Sequence, residues 1–146
     1  MSKLFAVIIS LSFLIFAVSC KSQKENAQAA IDELIKTNAS FFQKEDVDGY
    51  IATLDPESPE IADTKVMMAE LFKNYDLKLD IESVKILKIA EENADVEVVQ
   101  VTKKLAGGDF RDNRVKIMHH IKKVNGAWKI SASTTIRIEY FDQPTE

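Results

Sequence analysis

Apolar side chains recur at intervals of three and four along the first third of the chain. Ala27, Ile31, Leu34, Ile35, Phe41 and Phe42 fall on one stripe, with Asn38 as its polar member. That period predicts a helix over 26–43 with one buried face. Asp46 then stands where an N-cap is needed, ahead of Val47, Tyr50, Ile51 and Leu54. Pro56 and Pro59 end this second helix, because a proline disfavours helix at the residue before it. A third helix is predicted over 63–74, with Met67, Met68, Leu71, Phe72 and Tyr75 facing inward.

From Leu77 onward the period falls to two. Residues 84–90 and 94–105 read as strands around a Glu91-Glu92-Asn93 turn. In the second of these, Val96 and Val98 share one face, while Val99 and Val101 share the other. That phase slip predicts a bulge near Val98. Gly107-Gly108 opens a further turn, and 114–124 and 127–139 flank Asn125-Gly126. Asn-Gly between alternating runs is the strongest short-range hairpin signal.

A two-residue turn there pairs Val124 with Ala127 and fixes a register. Ile121 then faces Ile130, His119 faces Ala132, Ile117 faces Thr134 and Val115 faces Ile136. This face is mostly apolar. The other pairs Lys122 with Lys129, His120 with Ser131, Met118 with Ser133, Lys116 with Thr135 and Arg114 with Arg137. A slip of one residue would drive those cations into the core, so one face must be inner and the other outer.

Composition narrows the class. The chain has 146 residues, 46% of them hydrophobic, with a net charge of −4 and a pI near 5.3. That is one ordered domain, and its acidic balance argues against nucleic-acid binding. A single cysteine excludes an internal disulfide and a multi-cysteine zinc site. No phosphate loop, paired catalytic carboxylates, zinc-ligand spacing or nucleophile elbow occurs, so no cofactor or metal is expected.

The start of the chain carries an address. Met1-Ser2-Lys3 precedes an apolar run from Leu4 to Val18, then Ser19-Cys20. A charged start, a short apolar middle and a small residue before the cut make a secretory signal. Fifteen helical residues reach roughly 22 Å, short of the ~30 Å hydrocarbon core, so a permanent span is the weaker reading. Ala17-Val18-Ser19-Cys20 resembles a bacterial lipoprotein processing site, with Ala17 where Leu is usual. The resemblance implies a lipid on Cys20 and a signal peptide over 1–19. The polar, aperiodic run over 20–26 reads as a tether, ahead of a domain over 27–141 and a tail over 142–146. It places the protein in a bacterial cell envelope, periplasmic or at the outer membrane. Lys21 follows the cysteine where Asp would resemble an inner-membrane retention signal, which favours the outer membrane.

Helices followed by an antiparallel meander form an α+β layout with helices on one sheet face. Gln43-Lys44-Glu45-Asp46-Val47-Asp48-Gly49-Tyr50 and Asn125-Gly126-Ala127-Trp128-Lys129-Ile130 are similar to the first helix break and final hairpin of the nuclear transport factor 2-like superfamily, which includes ketosteroid isomerase-like and polyketide cyclase-like proteins. The resemblance covers 27–140. It implies a cone: a curved sheet of about four strands, N-terminal helices on its concave face and a pocket at the open end.

Within that frame His119 is the candidate catalytic residue, as a general base or a ligand hydrogen-bonder on the apolar face. Its competing role is a core histidine with one backbone partner. Tyr50, Tyr75 and Trp128 are the other candidate ligand-binding residues, each also a natural core filler. Arg111 and Arg114 could hold an anion or simply face solvent at a hairpin end. Enzymes of the superfamily pair the pocket base with an inward acid. Asp95 and Glu97 alternate away from Val96 and Val98, and Asp55 lies in a loop, so the balance is against catalysis. The expected function is a lipid-anchored domain that binds a small apolar ligand or a partner protein, a second copy included. The alternatives are an isomerase, lyase or hydrolase using His119, and a module that docks other proteins through its outer sheet face.

Overall fold

The computed structural model describes residues 2–141, with side chains from Gln23 onward. The element order is α1 (Ser2–Gln43), α2 (Val47–Ala52), α3 (Ile61–Asn74), β1 (Tyr75–Ile89), β2 (Asn93–Gly107), β3 (Asn113–Val124) and β4 (Ala127–Tyr140). The four strands form one antiparallel meander in the order β1-β2-β3-β4. Helix α1 is longer than its apolar stripe, and the stretch read as a tether is helical backbone. Residues 20–43 contain no glycine or proline, and a helix once nucleated propagates cheaply through such a segment. The Cys20 side chain and the tail over 142–146 lie outside the described residues.

Asp46 caps α2 as expected, its Oδ1 accepting the Gly49 N–H at 2.8 Å. Ile31 and Ile35 of α1 pack against Ala94, Val96 and Val98 of β2, Ile121 of β3, and Trp128 and Ile130 of β4. Ile31, Ile121, Val96 and Val98 are fully buried, each stabilising the fold by about 1.5–3 kcal/mol. A second cluster joins Phe42, Met68 and Leu77, with Phe72 edge-on to Phe42 at 5.3 Å. The Gln43 side chain stitches α1 to the β1 backbone, donating to the Leu77 carbonyl at 3.0 Å and accepting the Leu79 N–H at 2.9 Å. Met67 departs from its expected inward position and is 59% exposed, because α3 buries only Met68 fully and turns its neighbours to solvent.

The turn carries Asn125 at φ 49° and Gly126 at φ 82°, the two positive values that a type I′ hairpin requires. Register follows the expectation from Val124↔Ala127 to Ile121↔Ile130, then slips twice. The first bulge, at Ser131, pairs His120 with Ala132 and His119 with Ser133. The second, at Ile136, pairs Lys116 with Arg137 and Val115 with Ile138. Ser133 and Thr135 therefore share the face of His119, correcting the expected pairings with Ala132 and Thr134. The bulge expected near Val98 is carried across the ladder: β1 inserts Glu82 between Ile81↔Gln100 and Ser83↔Val99. The outer face is mixed in charge. Asp95 meets His120 at 2.7 Å, Glu97 meets Lys116 at 3.3 Å, and Glu82 meets Arg114 at 2.8 Å.

Candidate functional site

His119 sits on β3 facing the interior, 9% exposed, while His120 faces out. Strand alternation places it there, and the Ser131 bulge decides its partner. The Nδ1 of His119 shares a 2.8 Å hydrogen bond with Ser133 Oγ. Burial pushes its pKa down to about 4, with the neighbouring His120 adding a smaller push. The ring is therefore neutral near pH 7. A neutral imidazole held by a hydroxyl can exchange hydrogen bonds with a ligand, but among the described residues no carboxylate bonds to it or stabilises its charged form.

The acids nearest in sequence logic are engaged elsewhere. Asp95 and Glu97 pair with His120 and Lys116 on the outer face, as described. Asp55 is buried, yet its carboxylate accepts the Glu57 N–H at 3.1 Å and lies 3.5 Å from Lys122 Nζ. The Asp55 N–H also donates to the Ile130 carbonyl at 2.8 Å. These bonds make Asp55 the anchor that holds the loop after α2 against β4.

Tyr50 belongs to a separate polar group between α1 and α2. Asn38 Nδ2 donates to Thr53 Oγ1 at 2.7 Å, and that hydroxyl donates to the Tyr50 carbonyl at 2.6 Å. Burial pushes the Tyr50 phenol above its usual range, and the Asn38 hydrogen bond opposes that push. Tyr75 opens β1 and packs on Phe110 at 5.6 Å between ring centres. Both tyrosines adjoin the Phe42–Met68–Leu77 cluster, whereas Trp128 belongs to the other. The four candidate ligand-binding residues thus do not converge on one place. No local sequence signal marks Thr53 or Ser133. Asn38 alone left a signal, as the one polar residue in the α1 stripe.

Trp128 borders an open concavity. Where α1 passes the tips of both hairpins it leaves an open groove of about 750 Å³. Ala27 and Ala30 form one wall, Ile89, Ala90 and Trp128 the other. Lys24 and Lys123 stand at its rim, with Lys123 Nζ 5.6 Å from the Trp128 ring centre. The size suits a small molecule. The arginines considered for an anion are taken up locally: Arg114 binds Glu82 through two 2.8 Å bonds, and Arg111 stacks over Tyr140 at 4.1 Å. Among the described residues no group of three His, Cys, Asp or Glu side chains could hold a metal ion.

Comparison with known proteins agrees with this architecture. A family model described as the C-terminal domain of anti-sigma-I factor RsgI9 matches residues 33–141. Anti-sigma-I factor RsgI9 of Acetivibrio thermocellus is 37% identical over 71 residues, 49% of this chain and 10% of that protein. The chain therefore spans about a tenth of that relative's length. Among solved structures, a putative scytalone dehydratase from Novosphingobium aromaticivorans superposes with a TM-score of 0.70 at 12% identity, covering 85% of this chain and 93% of that one. A nuclear transport factor 2-like protein of unknown function from Pseudomonas putida gives 0.64 at 12% identity, covering 82% and 98%. A ketosteroid isomerase-like protein from Erwinia carotovora gives 0.56 at 16% identity, covering 75% and 95%. The fold is the nuclear transport factor 2-like cone.

Proposed function

The chain belongs to the family of the anti-sigma-I factor RsgI9 C-terminal domain, and from that premise we propose a recognition domain, anchored in the cell envelope, that binds without catalysing a reaction. One observation carries the reading. The interior histidine is neutral and partnered by a hydroxyl, while the acids that could complete a catalytic pair are bonded elsewhere. What remains is a groove suited to binding. Trp128 and the alanines of α1 offer it apolar surface, and Lys24 and Lys123 outnumber the one carboxylate in the lining, Glu91, which favours a ligand with an acidic end. The family description favours a regulatory role with a protein partner as the second reading.

Trp128 is the chain's single tryptophan, so its fluorescence reports on the groove directly. The probe is 1-anilinonaphthalene-8-sulfonate, an apolar anion that accepts energy from tryptophan. It should bind saturably and quench Trp128. Ala30→Phe, which fills the groove from an exposed position, should weaken that binding at least tenfold, while His119→Leu leaves it unchanged. Binding that survives Ala30→Phe and is lost in His119→Leu would move the site to the interior histidine and restore the enzymatic alternative.

The anchor is tested separately. The wild-type chain, expressed in a bacterium with a lipoprotein pathway, should take up a fatty-acid analogue, and Cys20→Ala should not. Equal labelling of both would remove the lipid from the account.

A further inference from the structure

Strand β4 lies at the edge of the sheet. Its first half is covered, because the Ile130 N–H donates to the Thr53 carbonyl at 3.1 Å and the Ile130 carbonyl accepts from Asp55. Among the described residues no strand pairs with its outer edge from Ser133 to Tyr140. That stretch exposes Ile136 at 55%, Ile138 at 47% and Tyr140 at 39%, and Phe141 follows at 45%. Proteins usually protect such an edge with bulges and charges that repel a second strand. Here the bulge at Ile136 blocks extension upstream, but the charges beyond it have opposite signs. Arg137 and Glu139 flank Ile138 symmetrically.

We propose that two copies of this chain pair antiparallel along the end of β4, about a two-fold axis at Ile138, to form one continuous sheet. Within one copy Arg137 meets Glu139 at 2.9 Å and Glu139 lies 3.5 Å from Arg114. The register adds Glu139 of the second copy against Arg137, and its Arg137 against Glu139, joining the two pairs into one alternating cluster. Both charge pairs are attractive, whereas a like-charged or shifted edge would repel. Ile138 meets Ile138 of the second copy, with Tyr140 and Ile136 beside it, so the exposed apolar cluster is covered by itself. The backbone is in phase for this. In an antiparallel ladder, residues that turn N–H and C=O away from the neighbour alternate along the strand. Ile130, opposite Ile121, is such a residue by its bonds to the loop. Stepping along β3 in twos from Ile121 to Val115 gives Ile138, opposite Val115, the same orientation. The interface is isologous, the usual form of a closed dimer.

The test uses the full chain in detergent with Cys20→Ser, so that one cysteine can be placed at will. Directly opposed residues of a hydrogen-bonded antiparallel pair have Cα atoms about 5.5 Å apart, within disulfide reach. Ile138→Cys treated with diamide should run as a covalent dimer. Ser133→Cys should stay monomeric, because its counterpart lies ten positions away along the pair, roughly 30 Å. In sedimentation equilibrium Arg137→Glu should weaken the dimer at least tenfold. Adding Glu139→Arg to it should restore pairing, since the exchanged charges complement each other again. A folded Ile138→Cys that stays monomeric, equal cross-linking at both positions, or an Arg137→Glu chain that dimerises like wild type would each overturn the proposal. Should Ile138→Cys not fold, the charge exchange decides alone.

Discussion

His119→Leu should lose most of the acid sensitivity of the fold while keeping its stability near pH 7. The cause is linkage. The ring titrates at about 4 when folded and near 6.5 in the unfolded chain. Between those values the unfolded state binds a proton that the folded state refuses. Stability is thus fully present above about pH 6.5 and falls as pH drops toward 4, where the loss levels off. For this one group the loss reaches ~2.5 kcal/mol by pH 4.5. The ring is almost wholly buried, so solvent screening takes little from that figure. Leucine keeps the bulk and leaves Ser133, itself exposed, to bond water, so the cost at pH 7 should stay below about 1.5 kcal/mol. Urea unfolding at pH 7, 5.5 and 4.5 measures both effects. A variant as acid-sensitive as wild type would show that burial does not lower the His119 pKa in the folded protein.

Gly107→Ala should be among the most damaging single methyl additions available in this chain. Gly107 ends β2 opposite Tyr75, where α3 passes into β1 with no linker. Its φ is +110°, and a Cβ there would collide with the Asn74 carbonyl oxygen and stand 2.9 Å from the Tyr75 Cα. Both obstacles are backbone, and the Tyr75 N–H is tied to the Leu71 carbonyl. Neither can yield without disturbing the junction. Backbone strain and overlap together should cost about 3 kcal/mol or more, lowering the melting temperature by roughly 10 °C. Gly126→Ala is the control. Its φ of +82° is also positive, but the space around its Cβ is open, so only the strain remains, about 1–2 kcal/mol. Equal melting temperatures for the two variants would mean that the junction at Asn74–Tyr75 is looser than its geometry implies.

The amino-acid sequence by itself determined the order of elements, the Asn125-Gly126 turn, the Asp46 cap and the inward orientation of His119. Each rests on short-range physics: a 3.6- or two-residue period, one capping oxygen, two positive φ angles, and parity along a strand whose alternate residues are Val115, Ile117 and Ile121. The tertiary structure alone decided what those residues meet. Ser131-Ala132-Ser133-Thr134-Thr135 carries no contrast between apolar and polar positions, so nothing local marks the bulge that brings Ser133 to His119. Met67 and Met68 are equally apolar, and only the placement of α3 on the sheet buries one and exposes the other. Asn38 lies on α1 while Tyr50 and Thr53 lie on α2 and its C-terminal cap, and packing brings the two segments together. Gly107 and Gly108 are adjacent and alike in sequence, yet only the first lies against the backbone of the α3–β1 junction, the second meeting just the Tyr75 ring. Periodicity sees one element at a time, whereas bulges, partners and close approaches depend on where a second element comes to rest.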